Sequence, residues 1–149
     1  MEITAYQLAQ RYVGIQELAQ GEHPLIQWWL SLCGQESLRL PDETPWCSAF
    51  ANGIAWELRL PRSKSLRARS WLLTGMPTRL ENALPAFDVV VINRKGDPSA
   101  DVIDSPGHVG FYAGRRADGK VLILGGNQGN AVSIAAFPTD QVLGVRRLA

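Results

Sequence analysis

Two cysteines and two histidines are the strongest nucleophile and base candidates in this chain of 149 residues. Thr44-Pro45-Trp46-Cys47-Ser48 reads as a helix start: Thr44 suits the N-cap and Pro45 the first helical position, which puts Cys47 in the first turn. Unpaired N–H groups and the positive end of the helix dipole favour a thiolate there. The same N–H groups are placed to hold an oxyanion during acyl transfer. On this stretch alone, a buried structural cysteine behind a packed tryptophan is an equal reading. Cys33 sits on the apolar face of an earlier helix and reads as core.

The base candidate is His108 in Pro106-Gly107-His108-Val109-Gly110-Phe111-Tyr112, at the mouth of a strand and flanked by glycines that leave room for a substrate backbone. His23, followed by Pro24, reads as a helix entrance instead. A cysteine–histidine pair works better when a third group fixes the imidazole. The next strand ends in Gly125-Gly126-Asn127-Gln128-Gly129-Asn130. A hairpin through Ala117-Asp118-Gly119 would return Asn127 beside His108, and a register one residue off would present Gln128.

These residues need elements to position them. A helix from about Ala5, capped by Thr4, carries Leu8, Tyr12, Ile15 and Leu18 at helical spacing and stops at Gly21. A second runs from Pro24 to Cys33, and a loop from Gly34 to Thr44 leads to the cysteine helix with Phe50, Ile54 and Leu58. A short fourth helix spans about Leu66 to Leu73. The period then changes, with β-rich runs at 87–92, 109–113, 121–124, 131–135 and 142–146 separated by turn signals. Helices followed by consecutive antiparallel strands imply an α+β domain, a single one over residues 1–149.

Composition narrows the function classes. Hydrophobic residues make up 46% and charged ones 19%, with 15 basic against 14 acidic side chains and a net charge of +1. No field of that size steers a protein to nucleic acid or an anionic membrane. The basic run from Arg59 to Arg69 reads as a solvated loop and helix face. The start of the chain lacks a basic and then apolar leader, and no run of eighteen apolar residues occurs, so synthesis in the cytoplasm without membrane insertion is expected. Asp97, Asp101 and Asp104 share a loop, but their spacing is no EF-hand and no metal is assigned. Trp46 and Trp71 are candidate substrate-binding aromatics near a groove, with Gln128 beside them, although tryptophans are more often core.

Taken together, Pro-Trp-Cys-Ser-Ala-Phe at a helix start, Gly-His-Val-Gly-Phe-Tyr on a strand and Gly-Gly-Asn-Gln on the next resemble CHAP-type and NlpC-like cysteine amidases. The likeness is greatest to a subgroup of phage lysins and wall-lytic effectors, and Val13 to Leu18, His23-Pro24, Ser70-Trp71 and Leu143 to Arg146 also match its layout. The resemblance implies a papain-like fold with Cys47 as nucleophile, His108 as base and Asn127 as orienting group, where many relatives carry Glu. It implies cleavage of an amide bond in peptidoglycan without a cofactor, by a monomer acting on the wall after release or delivery. An immunity protein or delivery apparatus is the expected partner if the protein is an effector. Two alternatives stand beside it: a papain-fold hydrolase of a non-wall substrate, and a catalytically silent wall-binding or virion domain.

Overall fold

The computed structural model describes residues 2–34 and 45–149. Three α-helices come first: α1 (Ala5–Gln10), α2 (Pro24–Ser31) and α3 (Cys47–Glu57). A 3-10 helix, Ala68–Leu73, leads into six strands: β1 (Met76–Thr78), β2 (Asp88–Asn93), β3 (Gly107–Arg115), β4 (Val121–Gly125), β5 (Ser133–Phe137) and β6 (Val142–Arg147). The strands form one sheet in the order β1-β6-β2-β3-β4-β5, with every neighbouring pair antiparallel. The α+β architecture read from the change of period therefore holds, with β1 added at an edge.

Local chemistry explains most boundaries. Thr4 caps α1 through a reciprocal pair, its hydroxyl accepting from the Gln7 N–H and its own N–H donating to Gln7 Oε1. The helix stops at Gln10 rather than continuing to Gly21. Gly14 turns the chain at φ 100°, and residues 14–17 then bond to 130–132 instead of to their own helix. His23 caps α2 by accepting the Leu25 N–H on Nδ1, with Pro24 as the first helical residue. The cysteine helix starts two residues later than the sequence suggests: Trp46 is its N-cap, Cys47 its first residue, and Pro45 lies outside it. Thr44 and nearly all of the expected loop before it lie outside the described residues.

The helix α3 is buried on all sides from Cys47 to Ala55, because α1 and α2 cover one face and the sheet the other. Gly53 permits this, since a Cβ there would stand 2.3 Å from the Trp29 ring. Around it, Tyr12, Trp29, Trp46, Phe50 and Phe111 meet largely edge to face. Each of the four fully buried rings, Trp29, Trp46, Phe50 and Phe111, contributes about 2–3 kcal/mol of transfer free energy. Its two internal polar side chains are satisfied: Ser48 bonds the Ser65 carbonyl and accepts the Trp71 indole N–H, and Asn52 accepts the Lys64 N–H. The first turns of α3 are thereby tied to the segment from Lys64 to Trp71.

Candidate active site

Cys47 opens α3, and His108 is the second residue of β3. Both are buried, at 4% and 1% exposure, and lie close enough for each to shift the ionisation of the other. The first intrahelical bond of α3 is Phe50 N–H to the Trp46 carbonyl, so the amides of Cys47, Ser48 and Ala49 lie ahead of the helix ladder. The Ser48 and Val109 amides lie near enough to the sulfur to favour its thiolate.

The third member differs from expectation. The carbonyl oxygen Oε1 of Gln128 accepts from His108 Nε2 at 2.8 Å, which leaves Nδ1 for the thiol. The amide cannot be turned the other way, because Gln128 Nε2 donates to the carbonyls of Ile123 at 3.1 Å and Ser133 at 2.7 Å. Gln128 thus holds the imidazole while also lining a cleft, and among the described residues no hydrogen bond joins Asn127 to the ring. Extending the Phe111–Leu124 pairing outwards does bring residue 127 opposite His108. The strand ends at Gly125, however, and Asn127 turns at φ 57°, which swings its side chain to the cleft and its neighbour inward. The turn is closed by Gln128 N–H to the Ala131 carbonyl. Gly125 keeps the space open, since a Cβ there would lie 2.6 Å from Gln128 Oε1. The glycines beside His108 serve a similar internal purpose: side chains at Gly107 and Gly110 would strike the Ile92 carbonyl and the Ile123 side chain, not a substrate.

The electrostatics couple the pair. Burial by itself pushes the Cys47 thiol up; the His108 charge and hydrogen bond, with the Val109 and Ser48 amides, overturn that and leave it below the ordinary thiol range. Burial likewise pushes His108 down, but the Cys47 charge and the bonds to Cys47 and Gln128 raise it overall, against an opposing effect from Arg94. A free imidazole (about 6.5) loses its proton before a free thiol (about 8.5) does. This site lowers the thiol and raises the imidazole, which moves the two toward each other and toward a thiolate–imidazolium pair.

Two clefts meet at His108, and one of them also reaches Cys47. One, of about 380 Å3, is lined by Pro45, Cys47, Arg67, Arg94, His108 and Asn127 among others. The other, of about 480 Å3, is lined by Arg94, Lys95, His108, Asn127, Gln128 and Phe137 among others. Phe137 lies against the imidazole with ring centroids 5.5 Å apart. Neither tryptophan assigned to substrate binding reaches these clefts. Trp46 and Trp71 are both 0% exposed, their indole N–H groups spent on Glu17 and Ser48.

Sequence reasoning also missed Arg69. It belongs to the basic run read as solvated, and Arg59, Lys64 and Arg67 are indeed exposed, but Arg69 is fully buried. Its guanidinium donates to the carbonyls of Pro106, Ser99, Val102 and Asp97 and to Asn93 Oδ1, at 2.6–3.1 Å. One side chain thus holds the whole connection from β2 to β3, including the residue two before His108. The available signal was its neighbour Trp71, whose burial carries the short helix inward. In that connection, Asp97, Asp101 and Asp104 do not gather into a metal-binding group; none of three or more such side chains is found among the described residues.

No protein-family model matches the chain, and no curated protein does. One solved structure, NlpC1 from Trichomonas vaginalis, is similar over 97% of this chain at 18% identity and a TM-score of 0.49. The chain spans 42% of that protein's length.

Proposed function

We propose that this protein is a papain-like cysteine hydrolase that cleaves an amide bond of bacterial peptidoglycan. The observation that carries the catalytic part is the buried relay from Cys47 through His108 to Gln128, with the sulfur at a helix start and open to a cleft. The peptidoglycan part rests on the three motifs around Cys47, His108 and Gln128 and their resemblance to wall-lytic amidases.

In this reading the Cys47 thiolate attacks the substrate carbonyl carbon and a C–S bond forms. The Cys47 backbone N–H, free of the helix ladder, faces the developing oxyanion. Protonated His108 gives its proton to the departing amine as the C–N bond breaks. Water then attacks the thioester, His108 takes its proton, and a carboxylate leaves with the thiolate restored. Gln128 holds the ring throughout by accepting from Nε2, a bond available in both the neutral and the charged imidazole.

The test is digestion of purified peptidoglycan followed by mass spectrometry of the soluble fragments, with Cys47→Ala as control. Release of fragments with new amine ends, absent with the variant, supports the proposal and names the bond. Intact peptidoglycan alongside cleavage of simple peptides would move the substrate away from the wall. No cleavage of either would end the hydrolase reading.

A further inference from the structure

Residues 14–17 form no helix, although the spacing of Tyr12, Ile15 and Leu18 predicts one, and they bond instead to the segment that carries Gln128. The Gly14 N–H donates to the Val132 carbonyl at 3.0 Å, and the Val132 N–H to the Ile15 carbonyl at 2.8 Å. Gln16 bridges to Ala131, and the Glu17 N–H donates to the Asn130 carbonyl at 3.0 Å. The segment so held is a turn that its own conformation disfavours. Asn127, Gly129 and Asn130 take φ of 57°, 66° and 60°, a left-handed region that residues other than glycine enter only at a cost.

Glu17 also reaches the other half of the site. Its Oε1 accepts the Trp46 indole N–H at 2.7 Å, a bond that the carboxylate charge strengthens. Trp46 directly precedes Cys47 as the N-cap of α3, makes no side-chain capping bond and is fully buried. Its ring in turn lies on Gly126, where a Cβ would stand 2.7 Å from the indole. The connections close on themselves: from Trp46 through the Glu17 carboxylate and amide to Asn130, back along the turn past Gln128 to Gly126, and across to the indole. Gln128 sits in the middle of that arc, and Cys47 is attached to its far side. Neither Glu17 nor Trp46 lines the clefts at His108, so neither contacts a substrate held there.

We infer that Glu17 is a positioning residue, holding the turn that bears Gln128 in place against the helix start that bears Cys47. This rests on the hydrolase reading for the roles of Cys47 and His108. Gln128 orients the imidazole only from the place where its turn sets it, and a misplacement of about 1 Å at a catalytic group costs up to about 10²-fold in rate. A Glu17 that merely satisfied a buried indole would alter stability and leave the folded site unchanged.

The experiment reads the site through the rate at which iodoacetamide alkylates Cys47 at about pH 6 in the folded full chain. Glu17→Leu removes the acceptor at similar size and is expected to slow that rate about fivefold, the loss of one hydrogen bond. Glu17→Gln, whose Oε1 still accepts the indole N–H, should restore it to within about twofold. In a Gln128→Ala background, Glu17→Leu should add no further slowing, because the two residues act in series. Trp46→Phe cuts the same bond from the other end without leaving a buried donor. It should match Glu17→Leu, and it takes that variant's place if Glu17→Leu does not fold. A lower unfolding midpoint with an unchanged alkylation rate would overturn the inference. So would slowing that Glu17→Gln does not reverse, or effects of Glu17→Leu and Gln128→Ala that simply multiply. Slow alkylation of Cys47 in the unaltered chain would sink the hydrolase reading and this inference with it; fast alkylation indifferent to Glu17 would sink this inference alone.

Discussion

Cys33 and Cys47 are both buried, both free thiols and both at helix ends, and the fold drives them in opposite directions. Cys33 follows the C-terminus of α2, where its sulfur faces the Trp29 carbonyl at 3.7 Å. Carbonyl ends and burial disfavour a thiolate, and its pKa is pushed up to about 12, chiefly by burial, with Arg62 opposing and Cys47 adding. Cys47 occupies the other pole of a helix, with amides and an imidazole around it, and is lowered despite deeper burial. Burial alone therefore says nothing about reactivity. The polarity of the backbone around the sulfur, and a partner that can take its proton, decide it.

The sharpest way to break that contrast is by substitution at each pole. Cys47→Ala and His108→Ala are each expected to cut turnover by at least about 10³-fold. Cys33→Ala should leave it unchanged, and hydrolysis rates on the proposed wall substrate would check all three. With the Cys47 pKa lowered and the His108 pKa raised, the expected active form is the thiolate–imidazolium pair. Activity should fall at low pH as the thiolate is protonated and at high pH as the imidazolium loses its proton. A kcat/KM profile rising monotonically with pH would show that no such pair forms.

Arg69→Met tests the region that holds His108 in place. It strips the partners from a set of buried carbonyls and is expected to destabilise the fold by about 3 kcal/mol, read by urea unfolding. Gln128→Ala frees the imidazole and should lower turnover by roughly 10²-fold with little change in KM. Asn127→Ala leaves the ring held and should act mainly on KM, as a cleft residue would. Reversal of that pair of results would restore Asn127 as the orienting group. The smallest effect is at Cys33, where Cys33→Ala should cost about 1 kcal/mol of stability through lost packing alone.

How much of this was legible in the chain varies with the physics behind each part. The short β-branched apolar runs from 87 onward, broken by turn residues, mark the sheet because such side chains favour extended backbone. Cys47 and His108 were legible because a helix start and a strand mouth leave local signatures. Gln128 was not separable from Asn127, since strand register predicts which residue lies opposite His108 but not where the strand stops. Only the left-handed turn at Asn127 decides it. The two tryptophans and Arg69 were misplaced for one reason: their burial comes from partners distant in sequence. Glu17, Ser48 and the 93–106 connection satisfy their polar atoms, and no local pattern announces those pairings.

The central claim is that Cys47 carries a thiolate paired with His108. It is tested most directly by alkylating the native protein with iodoacetamide at about pH 6, where a free thiol hardly reacts, and locating the adduct by peptide mapping. The account predicts rapid modification of Cys47, none of Cys33 on the same timescale, and a large drop in the Cys47 rate in His108→Ala. Equal slow labelling of both cysteines, or a Cys47 rate indifferent to His108, would contradict it.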